Sequence, residues 1–463
     1  MKKRLFMFAT AALMLAACSN DGEVAVNDGA AQLQSGSGAV AFDTYVPNTT
    51  RTGAAGVMTT TALQGSGFGV FATQTDNCLY AAYNDGTNII PNFMYNQQVT
   101  YSSPSWTYTP LKYWPNETGD DDAAQTPAAA SAASDALSFF AYAPYVAATA
   151  ATGALTGAAT ADTDADDAAV ANVGITALTA NTGVTAKTDP KVSYQMAYTP
   201  SKSVDLLWGV APVGGLSYTA VDGSTTTKAG AVAAGMPLLD LLKPSKDQKI
   251  KFLFRHALAR VGLKVVAAVD QLSPGGSLDA ATKIYVNSVV ITNTAKTVNV
   301  SGKLNLNNTS AGVALWEHVA EDMPASGLKL KIDGDNLNAV LKGSTSALTQ
   351  PGVLAGTETN VIAGNNYFML IPTPGTAATF QVKIDYSVIT ADPNVDGGYV
   401  VTNNVITREV TLNSTEVGHT GFTNNKAYEL KLILGMTSVK LDAEVADWQV
   451  DGSSNVDLPK NKE

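Results

Sequence analysis

Short strand-like runs recur along this chain, each closed by turn residues, and this limits the fold more than any other feature. Val40 and Phe42 alternate with smaller neighbours, and Phe68-Gly69-Val70-Phe71 follows a Gly-rich turn. Val99-Thr100-Tyr101 leads through Ser102-Ser103-Pro104-Ser105 into Trp106-Thr107-Tyr108, the layout of a hairpin. Phe252 and Phe254 alternate, and a further strand runs through Val261, Leu263 and Val265. Later strands are expected at 284–292, 327–332, 366–371, 379–389, 399–411, 427–434 and 438–449. β-Branched and aromatic residues in such runs fit a pleated, half-buried surface. No helix of parallel-crossover length is evident, which argues against an α/β enzyme fold. The expectation is an all-β chain built of sandwiches.

Charge excludes one class of partner. Charged residues make up 15% of the chain, below the usual share of about 25%, and Thr, Asn, Ser, Ala and Gly take their place. The net charge of −11 leaves no basic face for phosphates, so nucleic acid is not an expected partner.

The N-terminus carries an export signal. Lys2, Lys3 and Arg4 precede an apolar run from Leu5 to Leu15, followed by small residues, the order of a secretory signal. The run is far shorter than the roughly 20 residues a spanning helix needs. Leu15-Ala16-Ala17-Cys18 resembles the bacterial lipobox, which implies cleavage between Ala17 and Cys18 and fatty acylation of Cys18. The alternative is an ordinary secreted protein with a chance Cys. With Cys18 committed to lipid, Cys78 has no partner within one mature chain, and it reads as a packed small hydrophobe.

Residues 1–17 are therefore the signal peptide and 18–38 a flexible tether. The texture changes near Leu238–Leu242, so a boundary is expected at about residue 245, between domains 39–245 and 246–463. Two stretches, 119–136 and 147–187, are rich in Ala, Thr, Asp and Gly with no sustained apolar face, and read as long loop insertions in the first domain.

Tests for chemistry return little. Asp162, Asp164, Asp166 and Asp167 start like a calcium loop, but its Gly and Glu positions hold Asp167 and Val173, so a solvated acidic loop is expected. His256, His318 and His419 show no metal spacing, and His256 is expected to pack or hydrogen-bond within the fold. Gly215-Leu216-Ser217-Tyr218-Thr219 fails as a nucleophile elbow at its last residue. No catalytic residue, metal or cofactor is expected. Trp106, Tyr108, Tyr113 and Trp114 form an aromatic group that reads as sandwich core, or alternatively as a face for stacking sugar rings.

Several pieces in order resemble the fimbrillin-type lipoproteins, subunits of the type V pilus. They are the lipobox and tether; a first strand Val40–Tyr45 running on to Thr50-Arg51-Thr52; and Tyr113-Trp114-Pro115 followed by Phe140–Pro144. Next come Phe252–Val261, then Ile371-Pro372 with Phe380–Val388, and last Tyr428–Leu432 with Val445-Ala446-Asp447-Trp448. The resemblance implies two tandem β-sandwich domains of transthyretin-like type, a lipidated precursor at the outer membrane, and assembly into a surface fimbrium with other pilus subunits, homo- or heteropolymeric. An Arg-specific protease would cut between Arg51 and Thr52, amid small residues suited to an accessible site. The alternative for Arg51 is a plain surface arginine. Loss of the first strand would open a groove for another subunit's C-terminal segment, at about 435–463, anchored by Val439, Leu441, Val445 and Trp448. The competing readings are a non-polymerising surface lipoprotein that binds glycans and, third, an enzyme.

Overall fold

The computed structural model describes residues 39–447 apart from 47–56, 76–78, 82, 84–90, 116–135, 164–168, 171, 181–187, 222–226, 245–248, 268–280, 294–297, 318–327, 333–335, 344–349, 365, 374–376, 413–420 and 436–438. In chain order the elements are β1 (Ala41–Tyr45), α1 (Thr60–Ser66), β2 (Phe68–Thr75), β3 (Met94–Ser102), β4 (Ser105–Thr107), β5 (Ala136–Ala143), β6 (Asp162–Thr163), β7 (Ala169–Val170), β8 (Gly174–Leu178) and β9 (Lys191–Gln195). Then come β10 (Leu207–Val210), β11 (Leu216–Val221), β12 (Thr227–Val232), β13 (Leu238–Leu241), β14 (Lys249–His256), β15 (Ala259–Ala267), β16 (Thr282–Asn293) and β17 (Ser301–Asn305). The last are β18 (Leu315–Glu317), β19 (Leu328–Ile332), β20 (Thr359–Asn360), β21 (Phe368–Leu370), β22 (Ala378–Ala391), β23 (Tyr399–Leu412), β24 (Lys426–Leu434) and β25 (Val439–Asp447). The chain is all-β, and the expected later strands are present with ends shifted by a few residues.

One eight-stranded sheet organises the first part, in the order β1-β14-β10-β5-β2-β3-β4, with β13 on β5. Its central strands are buried on both sides, which explains their unbroken apolar runs. In β5, Leu137, Phe139, Ala141 and Ala143 face one core and Phe140 and Tyr142 face another. β14 divides likewise, with Ile250, Phe252 and Phe254 on one side and Leu253 on the other. The expected hairpin is β3–β4, with Tyr101 opposite Trp106.

Further sheets follow in the orders β20-β15-β24-β25, with β21 on β15; β19-β16-β22-β23; and β18-β17-β9-β8. Only Ala257 and Leu258, both fully buried, separate β14 in the first sheet from β15 in the next. Residue 245 lies between β13 and β14, two strands of one sheet, and β17 joins β9 across the same point. The alternating apolar row of β14 completes the aromatic core of the strands before it, so Lys249–His256 is placed with them.

Part of the expected 147–187 insertion is structured. β8 pairs with β9, and Val173, Ile175 and Leu178 are buried. The loop reading there is corrected: three apolar residues every two or three positions suffice for an edge strand when a neighbour supplies the rest of the core. Residues 119–135 lie outside the described residues, and Ala136 opens β5.

Candidate functional site

β1 is five residues long, yet it closes one core. Its alternation sends Val40, Phe42, Thr44 and Val46 inward, exposed by only 1%, 1%, 8% and 4%. It runs parallel to β14, pairing Ala41 with Lys249 through to Tyr45 with Leu253. On its other side the Val40 amide donates to the Lys112 carbonyl at 2.9 Å, and Ala39 forms an antiparallel bridge with Tyr113. The Tyr108 hydroxyl donates to the Val40 carbonyl at 2.7 Å, and burial pushes that phenol above its ordinary pKa. β1 therefore sits between β14 and the segment after β4.

The Phe42 ring occupies a pocket of four others. Ring centroids lie at 5.4 Å for Tyr108, 6.0 Å for Phe139, 6.1 Å for Phe252 and 6.2 Å for Phe68. Two residues on, the Thr44 hydroxyl is buried with no hydrogen-bond partner. On the opposite side of β1, Tyr45 packs against the second core, and Lys251 Nζ lies 5.6 Å from its ring centroid.

Both ends of the segment after β1 are held. The Thr60 hydroxyl donates to the Val46 carbonyl at 3.3 Å. Thr59 caps α1 by accepting the Ala62 amide at 3.1 Å. The Met58 amide donates to buried Asp205 Oδ2 at 2.8 Å, and His256 Nδ1 lies 2.8 Å from the same oxygen. The expectation that His256 hydrogen-bonds inside the fold holds. Its partner, 51 residues away in sequence, was not foreseen, because an isolated Asp in Ser203-Val204-Asp205-Leu206 carries no local signal.

Arg51 and Thr52 lie between these pins but outside the described residues, as do Ala17, Cys18, Cys78, His318, His419 and Trp448. Val439, Leu441 and Val445 are on β25, which pairs antiparallel with β24 from Lys426–Asp447 to Leu434–Val439. Among the described residues β25 is an edge strand.

The aromatic group is core. Trp106, Tyr108 and Trp114 are buried, Trp106 against Phe68 and Tyr101, Trp114 against Phe139. Tyr113 alone is exposed, at 55%.

Asp162 corrects the solvated-loop reading, for it is 2% exposed. Its carboxylate accepts the Thr199 hydroxyl at 2.6 Å and the amides of Tyr198, Thr199 and Thr163 at 2.8, 2.9 and 2.9 Å. These donors fix β6 to the turn before Pro200. The other three aspartates of that run lie outside the described residues. Among the described residues no group of three or more His, Cys, Asp or Glu is placed to hold a metal ion, and no helix is long and apolar enough to cross a membrane.

No protein-family model matches the chain. A segment of 118 residues is 34% identical to the fimbrium subunit Fim1C of Phocaeicola vulgatus, covering 25% of this chain and 28% of that relative's length. The fold is similar to the crystal structure of a fimbrial protein from Bacteroides vulgatus, with a TM-score of 0.58, 19% identity, and coverage of 89% of this chain and 99% of that one. One segment is thus similar in sequence to part of a fimbrium subunit, and over most of its length the chain is similar in fold to a fimbrial protein.

Proposed function

We propose that the chain is a structural, non-enzymatic subunit of a cell-surface pilus, assembled with other pilus subunits. It would be exported as a precursor held at the outer membrane by lipid on Cys18. An Arg-specific protease would cut after Arg51, and β1 would leave together with the lipid-bearing N-terminus. The vacated place would be filled by a strand from the C-terminal segment of another subunit. Adhesion would be a property of the assembled fimbrium.

The observation that carries this reading is the setting of β1. An apolar row buried at the end of a sheet is followed at once by the segment that holds Arg51. Removing residues 39–46 would expose the β14 edge and the rings of Phe68, Tyr108, Phe139 and Phe252. An unpaired edge beside apolar pockets is what an added strand recognises. The relatives' printed names, a fimbrium subunit and a fimbrial protein, point the same way. The glycan-binding alternative loses its supporting feature, since three of its four aromatic residues are packed inside.

The test is direct. Purified precursor treated with an Arg-specific protease should lose its N-terminal segment and form polymers, seen by size-exclusion chromatography and electron microscopy. Arg51→Ala should stay monomeric and uncut. Polymers from the Arg51→Ala protein, or a cut protein that stays monomeric at high concentration, would sink the reading. An uncut subunit would keep its lipid and serve as a pilus base or a solitary lipoprotein.

A further inference from the structure

We infer that β23 is an interaction surface at which two copies of this chain pair antiparallel, edge to edge, about a two-fold axis at Asn403. The pairing involves neither β1 nor β25 and does not depend on a cut at Arg51.

β23 is a bare edge. It runs for 14 residues along β22, from Tyr399 opposite Ala391 to Leu412 opposite Ala378, with no break in register. Among the described residues no strand pairs with its other side. A row of unpaired amides and carbonyls recruits another strand, so folded proteins guard such edges with charges, prolines, bulges or shortness. Several other edges here are guarded in this way. β18 and β20 have three and two residues, β19 contains Lys329 and Lys331, and β25 contains Lys440, Asp442 and Glu444. From Tyr399 to Thr407 β23 has no charge and no proline, and its β-branched residues suit a strand. Val400 and Val405 within it are exposed by 44% and 57%.

The strand's own sequence names the occupant. Directly opposed residues of an antiparallel pair share a face, so two copies of one strand can pair only with the axis on a residue. With the axis at Asn403, Val401 lies opposite Val405 of the second copy, and Val400 lies opposite its Ile406. Tyr399 meets Thr407, and Thr402 meets Asn404. Each of these pairs occurs twice by symmetry, as an isologous contact requires. An axis at Thr402 would set Val400 against Asn404 and Val401 against Asn403. An axis at Asn404 would set Val400 against Arg408 and Val405 against Asn403. Of the three, the Asn403 axis alone opposes apolar to apolar on both faces. Arg408 then falls opposite Gly398, so no like charges meet.

The contact is small. A single added ladder falls below the roughly 1,200 Å² of a standard interface, so copies in dilute solution stay apart. Where many copies are arrayed side by side, the edges act together and the weak pairing is multiplied.

Cross-linking of concentrated, uncut protein tests partner and register together. The full chain with Cys18→Ser and Cys78→Ser has no native thiol. In that chain Asn403→Cys should give a disulfide-linked dimer on mild oxidation, because residue 403 faces its own copy. Val395→Cys, also exposed but beyond the paired span, should give none. A mixture of Val401→Cys and Val405→Cys chains should join, while neither joins to itself, and this arm stands even if Asn403→Cys fails to fold. Val405→Lys should leave the exposed site folded and cut the Asn403→Cys dimer about tenfold, because two cross-strand apolar pairs are lost at once. Equal cross-linking of Val395→Cys, or an Asn403→Cys dimer unmoved by Val405→Lys, would show random collision and overturn the inference. Preferential joining of Asn403→Cys to Val401→Cys would place the axis at Thr402 and overturn the register. With no dimer from any of these chains, the contact does not exist.

Discussion

The Met58 amide and Asp205 Oδ2, 147 residues apart in sequence, are joined by a 2.8 Å hydrogen bond inside the protein. The same oxygen faces His256 at the end of β14, the strand that carries β1. The chain is thus re-anchored just after the segment with Arg51, and the anchor is shared with the floor of the slot. A cut at Arg51 would free the residues before it and leave everything from Met58 onward in place.

Asp205→Ala should destabilise the protein by on the order of 3 kcal/mol. It strips the partner from a buried amide and a buried imidazole at once, and each orphaned donor costs about 1–3 kcal/mol. Urea denaturation gives the stability. Hydrogen exchange should show fast exchange at Met58 while the amides of β22 stay protected. Unchanged stability would mean that the pair contributes nothing.

Phe42→Ala should cost the uncut precursor about 3–5 kcal/mol, because a ring packed among four others is replaced by a void. On the proposed cleavage β1 would leave with this residue, so polymers of this variant and of the unmodified protein should melt alike. Thermal denaturation before and after cutting checks both halves. A variant polymer that melts lower would show that β1 had stayed.

Arg-specific digestion of native protein should give a single cut. Beyond Arg4, the arginines are Arg51, Arg255, Arg260 and Arg408. Arg255, Arg260 and Arg408 lie within paired strands, and the side-chain Nε atoms of Arg255 and Arg260 are buried. Proteases need an extended, accessible segment, so these bonds should be cut only after unfolding. Mass spectrometry of the fragments decides it, and early cleavage at Arg408 would contradict the strand pairing of β23.

Acid should loosen the β6 region through Asp162. Burial pushes this carboxyl up, but the Thr199 hydroxyl and the amides of Thr199, Thr163 and Tyr198 outweigh burial and hold it below its ordinary pKa. A depressed folded-state pKa adds stability above the ordinary carboxylate range, and this is lost as pH falls through the folded value. Asp162→Asn should therefore be less stable near neutrality and should flatten the acid limb of the stability curve. Denaturant titrations from neutral pH downward measure it, and an unchanged acid limb would refute the role.

Much of the fold is legible residue by residue. Phe252 and Phe254 alternate, Val99–Tyr108 folds back at Ser102–Ser105, and the late strands announce themselves by β-branched runs. These are local properties, since a strand's period of two and a turn's dihedral needs act within a few residues. The place of Trp106 in the core is legible for the same reason, because it sits in the short strand β4, whereas Trp114 lies outside the strands and is buried by its packing on Phe139. Asp162 misleads, because Tyr198 and Thr199, which donate to its carboxylate, lie more than 30 residues away and an acidic run looks solvated by itself.

What the sequence determined alone is therefore the all-β character, the approximate places of the strands and the alternation of Val40 and Phe42 at β1. Only the tertiary structure decided that β1 lies parallel to β14, some two hundred residues on. It also decided that Phe42 meets four rings, and that Asp205 gathers Met58 and His256. Alternation says which side of a strand is buried. It does not say which strand lies next to it, because that choice is made by the packing of whole rows against one another and by the closure of long loops.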